Sequence, residues 1–281
     1  MYRVVKKRVL APSIALLDVD APSVAAKVEP GQFVIVRVDE MSERIPLTVM
    51  DFDRKKGTIT IVVQDVGYSS AIITRMNEGD EFQDFVGPLG VASEIEKYGT
   101  VVCIGGGLGI APIYPIARGL KEAGNHVISV LGSRSADLLI LEEEMRSVSN
   151  EVVVATNDGS LGVKGFVTDG LAQVLGQGHD VKVIWAIGPM IMMKAVVDYT
   201  RSLGIKTIVS MNPIMVDGTG MCGACRISVG NETKFACVDG PEFDGHLVDF
   251  DLAMKRLAFY KDEENRAKAR LECKNHEGGH H

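Results

Sequence analysis

The residues with the most capacity for chemistry lie in one short stretch. The run Asp217-Gly-Thr-Gly-Met-Cys222-Gly-Ala-Cys225 is followed, after eleven intervening residues, by Cys237, which gathers three of the five cysteines into a glycine-rich loop. Two thiolates separated by two residues and closed by a later thiolate form a metal-ligand spacing. The pattern that fits is the Cys-x4-Cys-x2-Cys…Cys of two-iron clusters, with Asp217 standing where the first cysteine would be. A carboxylate is a harder ligand for iron than a thiolate, so Asp217 could complete the set of Cys222, Cys225 and Cys237 and alter the potential. The same residues also suit zinc, and a metal-free loop is the third reading.

A second group of residues suits a nucleotide. Gly105-Gly106-Gly107-Leu108-Gly109-Ile110-Ala111-Pro112 follows an apolar strand-like run and opens a helical one. Glycines there let the backbone approach a pyrophosphate, and a helix N-terminus favours its charge. Two later turns, Thr156 to Gly162 with Asp158 and Gly159, and Gly188-Pro189-Met190-Ile191-Met192-Met193, follow further strands of the same type. All three belong on the carboxyl edge of a parallel sheet, where ligands of open α/β sheets bind. Earlier, Arg44-Ile45-Pro46-Leu47-Thr48 sets a guanidinium and a hydroxyl beside a strand, a means of holding an anionic cofactor by charge-assisted hydrogen bonds.

The elements that must position these residues fall into three segments. Residues 1–95 read as short strands separated by Pro, Gly and Asp, interrupted by a helical stretch only near Ser70 to Met76, which predicts a compact antiparallel barrel. In residues 96–210, strands at Val101–Ile104, His126–Leu131, Glu151–Ala155, Val183–Ile187 and Thr207–Ser210 alternate with helical periods at Pro112–Ala123, Leu138–Arg146, Val167–Leu175 and Met190–Leu203. That alternation predicts a doubly wound parallel sheet, with Gly124 closing its first helix. Residues 211–281 hold the cysteine loop and an amphipathic helix from about Asp251 to Leu271.

Composition narrows the function. A chain of 281 residues that is 46% hydrophobic and 24% charged has room for two globular domains and an appendage. A net charge of −7 without a basic footprint argues against a nucleic-acid partner. No run approaches the roughly 18 apolar residues of a membrane span, and Met1-Tyr2-Arg3 does not begin a signal peptide. A reducing, cytoplasmic location is the expectation, consistent with cysteines used as ligands. Cys103, within Val101-Val102-Cys103-Ile104, reads as a small core residue, and Cys273 as an inert tail residue.

The motifs in their order, Arg-x-Pro-Leu-Thr from Arg44, Gly67-Tyr68-Ser69-Ser70, Gly87-Pro88-Leu89-Gly90, Gly105 to Pro112 and Gly188-Pro189-Met190, resemble the ferredoxin-NADP reductase superfamily over residues 1–250. With the cysteine loop, the resemblance is to the branch containing the electron-transfer subunit of dihydroorotate dehydrogenase, and nearer still to the small subunit of electron-bifurcating NADH-dependent ferredoxin:NADP oxidoreductases. It implies an FAD-binding barrel at 1–95, an NAD(H)-binding domain at 96–210 and a [2Fe-2S] region at 211–281. Arg44 is expected near the FAD pyrophosphate, with Pro46, Leu47 and Thr48 along the flavin ring. Gly67, Ser69 and Ser70 correspond to a Gly-x-Gly-Thr phosphate turn in which Ser69 replaces glycine and Ser70 threonine. Gly105, Gly106, Gly107, Gly109, Ile110, Ala111, Pro112, Asp158, Gly159, Gly188, Pro189 and Met190 correspond to the nicotinamide-nucleotide side. The dihydroorotate dehydrogenase partner usually has four cysteines, and an aspartate first is associated with the bifurcating branch. There, hydride passes from NADH to the flavin and single electrons leave through the two-iron cluster. They pass to a larger subunit of the heterodimer with a second FAD and [4Fe-4S] clusters, which links ferredoxin and NADP(H). No side chain of this chain is assigned a catalytic role. The alternatives are the dihydroorotate dehydrogenase electron-transfer subunit or a related reductase subunit, and a non-enzymatic nucleotide-binding protein with a structural zinc. Ser133-Arg134 offers a 2′-phosphate no more than an ordinary surface charge would, so NADH rests on the resemblance.

Overall fold

A computed structural model describes residues 2–267. Its first half is one antiparallel sheet of seven strands, β1 (Tyr2–Ala11), β2 (Ile14–Asp20), β3 (Phe33–Arg37), β4 (Ile45–Asp53), β5 (Thr58–Gln64), β6 (Glu81–Phe82) and β7 (Asp84–Leu89), in the order β6-β1-β2-β5-β4-β3-β7. The two edge strands β6 and β7 are separated in sequence by Gln83 alone, so the sheet must curl until its edges nearly meet. Alternate residues of these strands, among them Leu17, Val19, Val34, Val36, Ile59, Ile61, Phe82 and Phe85, point inward and fill the barrel. Two short helices, α1 (Pro22–Ala25) and α2 (Tyr68–Arg75), add Val24, Ala25 and Ile73 to its core.

The second sheet joins β8 (Thr100–Gly106), β9 (His126–Ser133), β10 (Glu151–Thr156), β11 (Val163–Lys164), β12 (Val181–Ile187) and β13 (Lys206–Ser210) in parallel, in the order β11-β10-β9-β8-β12-β13. The helices α3 (Ile110–Glu122) and α4 (Glu142–Val148) cover one face, and α5 (Val167–Gly176) and α6 (Met190–Arg201) the other. Ile113, Ile116, Ala117 and Leu120 of α3 recur at helical spacing and are buried. Gly124, at φ +87°, ends that helix as its position in the sequence predicts. The predicted helix over Leu138–Arg146 begins later. Ala136–Leu138 form a 3-10 turn, and Leu141 takes a left-handed φ of +56° before α4 starts, so the chain bends there to bury Ile140 and Leu141.

The α3 face does not stop at the nucleotide sheet. Ala11, Ile14, Leu16, Met50 and Val62 of the barrel share one core with Val101, Cys103, Trp185, Met145 and the buried residues of α3. Arg118 of α3 donates to Asp51 of β4 at 2.7 Å across that junction. Burying a large aliphatic side chain contributes about 1.5–3 kcal/mol, so this shared core, rather than the ion pairs Arg118–Asp51 and Arg8–Glu144, fixes the barrel on the sheet. Cys103 is fully buried, the core role expected for it.

Beyond β13 come the ribbon β14 (Arg226–Val229) and β15 (Glu232–Phe235), and then β16 (Glu242–Asp244), which returns to the second sheet as an antiparallel edge beside β13. The predicted helix from Asp251 to Leu271 is not continuous. It is α7 (Phe250–Leu257), a 3-10 turn at Ala258–Tyr260 and a further helical stretch over 261–267. Leu257 is the last residue packed on the nucleotide core, whereas Phe259 and Tyr260 are exposed, so no packing imposes one helical geometry past that point. The end of the expected helix and Cys273 lie outside the described residues.

Candidate functional site

The order of the parallel sheet reverses at β8, which has β9 on one side and β12 on the other, and the glycine loop leaves β8 at that switch point. Two of its glycines, Gly105 and Gly109, are demanded by backbone packing, and a third, Gly106, faces the flexible end of Met192. A Cβ on Gly105 would lie 2.8 Å from Ile110 Cα, one on Gly106 2.2 Å from Met192 Sδ, and one on Gly109 2.1 Å from the Ile187 carbonyl oxygen. Gly107 differs, because its φ is +54° and nothing lies within 4 Å of its Cβ position. It forms the open floor of a cradle in front of α3. Gly188 closes the cradle from β12, where a Cβ would meet the Gly106 carbonyl at 3.0 Å and Met192 Cε at 2.9 Å.

The turn after β10 is tied to the same edge. Asn157 N donates to Ser133 O, and Asp158 N to Arg134 O, at 3.1 and 3.2 Å. Asp158 accepts from Ser160 N and Oγ, which holds its carboxyl below the usual range, while Gly159 turns at φ +79°. Ile110 and Ala111 are instead turned into the barrel-side core and Met190 into the opposite core, so these three offer a ligand only backbone. Pro112 and Pro189 flank the starts of α3 and α6, where a missing N–H costs no intrahelical bond.

The barrel contributes a cationic group with an unpartnered buried donor. Arg44 Nε is buried and has no hydrogen-bond partner, and its Nη1 lies 3.9 Å from Asp84, whose Oδ2 already accepts from Arg37 at 2.7 Å. An orphaned guanidinium donor beside β4 fits a cofactor phosphate. Pro46, Leu47 and Thr48 follow along β4, opposite Ile35, Val34 and Phe33 of β3. In the turn before α2, Ser70 Oγ accepts from Val66 N at 3.1 Å and Gly67 N at 2.9 Å. Ser69 is buried, accepts from Glu43 N at 2.9 Å and donates to the Glu43 carboxylate. Both hydroxyls are thus engaged by the protein itself. What the turn presents to an anion is the start of α2, whose first intrahelical bond is Ala71 N to Gly67 O. Glu43 carried no signal in the sequence, since it acts only by answering Ser69.

The cysteine loop is assembled in two pairs. Cys225 and Cys237 are buried with their sulfurs 3.2 Å apart, and burial followed by the adjacent Cys225 pushes the Cys237 thiol up to about 12. Such a pair becomes thiolate when a cation supplies the missing charge. Asp217 accepts from Thr219 N at 2.8 Å and from Cys222 N at 2.9 Å, and these backbone donors hold its carboxyl below the usual range. Among the described residues, no three of the four ligand atoms come within 4.8 Å of one another. A single tetrahedral zinc needs all four within about 4 Å, whereas two irons need them two by two. The Cys225/Cys237 sulfur pair, with Asp217 bonded to the Cys222 backbone N–H, suits a two-iron cluster held two ligands to each iron. Gly218, at φ +75°, lets the loop press on the barrel, because a Cβ there would lie 2.7 Å from both Ile35 Cδ1 and Leu89 Cδ1. Ile35 is also the cross-strand partner of Pro46, so the metal loop and the Arg44–Thr48 motif meet on one barrel residue.

Glu242 carries no local signal in the sequence. It leaves the cysteine loop on β16 and is half-buried at the junction of all three parts, accepting from Ser93 Oγ at 2.6 Å and Trp185 Nε1 at 3.2 Å. Burial pushes its carboxyl up to about 7.

Comparison with known proteins agrees with this geometry. The family described as the iron-sulfur cluster binding domain of dihydroorotate dehydrogenase B matches residues 212–249, and the oxidoreductase NAD-binding domain matches residues 103–198. A dihydroorotate dehydrogenase B (NAD(+)) electron transfer subunit homolog of Thermotoga maritima is 49% identical, covering 94% of this chain and 93% of its own. The corresponding electron transfer subunit of Geobacillus thermodenitrificans is 35% identical over 85% and 94%. A chain solved in a study of flavin-based electron bifurcation by the NADH-dependent reduced ferredoxin-NADP oxidoreductase superposes with a TM-score of 0.92 at 47% identity, covering 96% of this chain and 98% of that one. Phthalate dioxygenase reductase, at 16% identity and a TM-score of 0.59, shares the fold.

Proposed function

The chain belongs to the family of electron-transfer subunits of the dihydroorotate dehydrogenase B type, and we propose from that premise that it is the small subunit of an NADH-dependent ferredoxin:NADP oxidoreductase. As a member it is an oxidoreductase subunit taking FAD, NAD(H) and an iron-sulfur cluster. When bound, the flavin accepts hydride from the nicotinamide, and the cluster accepts electrons one at a time.

The chain's own residues supply the positioning. The cradle of Gly105, Gly106, Gly107 and Gly109 with Gly188 receives the dinucleotide pyrophosphate, and the N-terminus of α3 favours its charge. Asp158 and Gly159 shape the wall on the β10 side. Arg44 pairs with the FAD pyrophosphate, Gly67 with the backbone of Ser69 and Ser70 receives its anionic end, and Pro46, Leu47 and Thr48 line the ring. Asp217 and Cys222 bind one iron, and Cys225 and Cys237 the other. The divisions at 95/96 and 210/211 belong to the same reading.

The observation that carries the assignment to this complex is Asp217. It stands in the first ligand position, the departure that the resemblance associates with the bifurcating branch, and a chain from a study of that system superposes over 96% of this one. Cys222 is exposed, with Met221, Val216 and Val238 exposed beside it, which suits contact with a larger partner carrying a second FAD and [4Fe-4S] clusters. Among the described residues no helix is long and apolar enough to cross a membrane, and we place the heterodimer in the cytoplasm.

The test is anaerobic co-expression of this chain with candidate large subunits. NADH- and ferredoxin-dependent reduction of NADP+ by the purified heterodimer is the expected result. Dihydroorotate-dependent reduction of NAD+ instead would assign the chain to the second reading, which the names of its curated relatives favour.

A further inference from the structure

We propose that His126, Glu151 and His179 form a binding site for a divalent cation of borderline softness, with Zn2+ as the ion that fits best. His126 is the first residue of β9 and Glu151 the first of β10, and because the strands are parallel both stand on the amino edge of the sheet. That edge is opposite the glycine cradle. His179 arrives from the turn between α5 and β12, after Gly178 at φ +84°. Since α5 packs on β9 and β10, the turn that leaves it passes over their amino ends.

One carboxylate serves both imidazoles. His126 Nε2 lies 2.8 Å from Glu151 Oε1, and His179 Nε2 lies 3.7 Å from Glu151 Oε2. The rings are nearly parallel, at 25° with centroids 5.9 Å apart, and the three ligand atoms lie within 4.8 Å of one another. A zinc ion bonded at about 2.0–2.2 Å to imidazole nitrogen and carboxylate oxygen sets its ligands about 3.2–3.6 Å apart. The two histidine–carboxylate separations fall on either side of that, and rotation of the partly exposed side chains brings the three ligand atoms onto one ion. A surface histidine–glutamate pair would need no second imidazole. His179 Nε2 also lies 3.3 Å from Gln177 Oε1 of its own turn, so what marks a ligand set is the gathering of two imidazoles and one carboxylate within 4.8 Å of one another.

Two imidazoles and one carboxylate select zinc and its neighbours over Mg2+ or Ca2+, which prefer all-oxygen shells. Water fills the fourth position. The bound ion ties the α5–β12 turn to the starts of β9 and β10, and stabilises the fold because the unfolded chain lacks the assembled site.

The experiment is a calorimetric titration of Zn2+ into the full chain with flavin and iron loaded, with iron content measured before and after so that binding at the cysteine loop is counted separately. One saturable site per chain with iron unchanged is expected, together with a higher melting temperature in Zn2+ but not in Mg2+. His126→Ala/His179→Ala should abolish both. Glu151→Gln, which keeps the size and hydrogen bonding of the carboxylate, should weaken binding more than about tenfold, since loss of even an outer-shell partner costs that much, and it remains readable should the double variant fail to fold. The absence of a saturable site, or one that the variants leave unaltered, would overturn the proposal.

Discussion

The indole Nε1 of Trp185 donates to the carboxylate of Glu242 at 3.2 Å, joining the middle of the nucleotide sheet to the strand that leaves the metal loop. Ser93, in the segment between the barrel and that sheet, donates to the other carboxylate oxygen. All three parts of the molecule therefore meet on one half-buried acid.

Glu242 predicts a pH dependence of stability. Burial raises its pKa from 4.5 to about 7. Between those values the folded protein keeps a proton that the unfolded chain has released, so this group's contribution falls as pH rises through the window and stays low above it. The full difference is on the order of 3 kcal/mol. Glu242→Gln can still accept from Trp185 while donating to Ser93, and should be flatter than the wild type between pH 5 and pH 8. Melting temperatures across that range test it, and parallel curves for the two proteins would remove Glu242 as the cause.

Much of this architecture is legible in the sequence. Short apolar runs separated by Pro, Gly and Asp give the barrel strands, the alternation of apolar runs with helical periods gives the parallel sheet, and Gly124 marks the end of α3 because a left-handed terminus needs glycine. The cysteine loop is legible because ligand spacing is local. Glu242, Glu43 and the histidine pair are not, since each acquires meaning from a partner that only the topology delivers. Trp185 and Ser93 are 57 and 149 residues from Glu242. Helical period likewise cannot show where packing ends, which is why the helix expected through Leu271 breaks at Ala258.

Arg44 predicts selective loss of flavin. Its buried Nε has no partner within the protein, so the chain holds a donor that stabilises the fold less than it would a bound anion. Arg44→Ala should leave the melting temperature of the flavin-free protein nearly unchanged and weaken FAD retention by roughly 1.5–3 kcal/mol, the worth of a hydrogen bond to a charged group. Flavin-to-protein ratios after gel filtration would show it. Retention equal to the wild type would place the pyrophosphate elsewhere.

Gly106 predicts a nucleotide defect with a built-in rescue. The Cβ of Gly106→Ala would sit 2.2 Å from Met192 Sδ, the end of a flexible side chain, so the cradle deforms at a cost of about 1–3 kcal/mol. NADH affinity should fall, while the flavin spectrum stays normal. Met192→Ala in the same chain removes the obstacle and should restore most of that affinity, and a double variant as impaired as the single one would show that the backbone itself cannot tolerate the methyl.

The paired arrangement of the metal loop makes its own prediction about iron. Cys225→Ser removes one member of the buried pair whose sulfurs are 3.2 Å apart, leaving Cys237 to hold an iron alone in a buried setting. Iron content should drop to a small fraction of the wild type, with flavin retained. Asp217→Cys keeps four ligands but replaces a hard donor by thiolate, so the cluster should survive with a lower potential. The Asp217 carboxylate also organises the loop by accepting from Thr219 N and Cys222 N. Asp217→Ala separates the two roles, since an aspartate that only shaped the loop would leave the cluster's electron paramagnetic resonance signal unshifted in Asp217→Cys while Asp217→Ala still lost iron. A shifted signal and potential in Asp217→Cys, with iron content preserved, would identify the carboxylate as the fourth ligand.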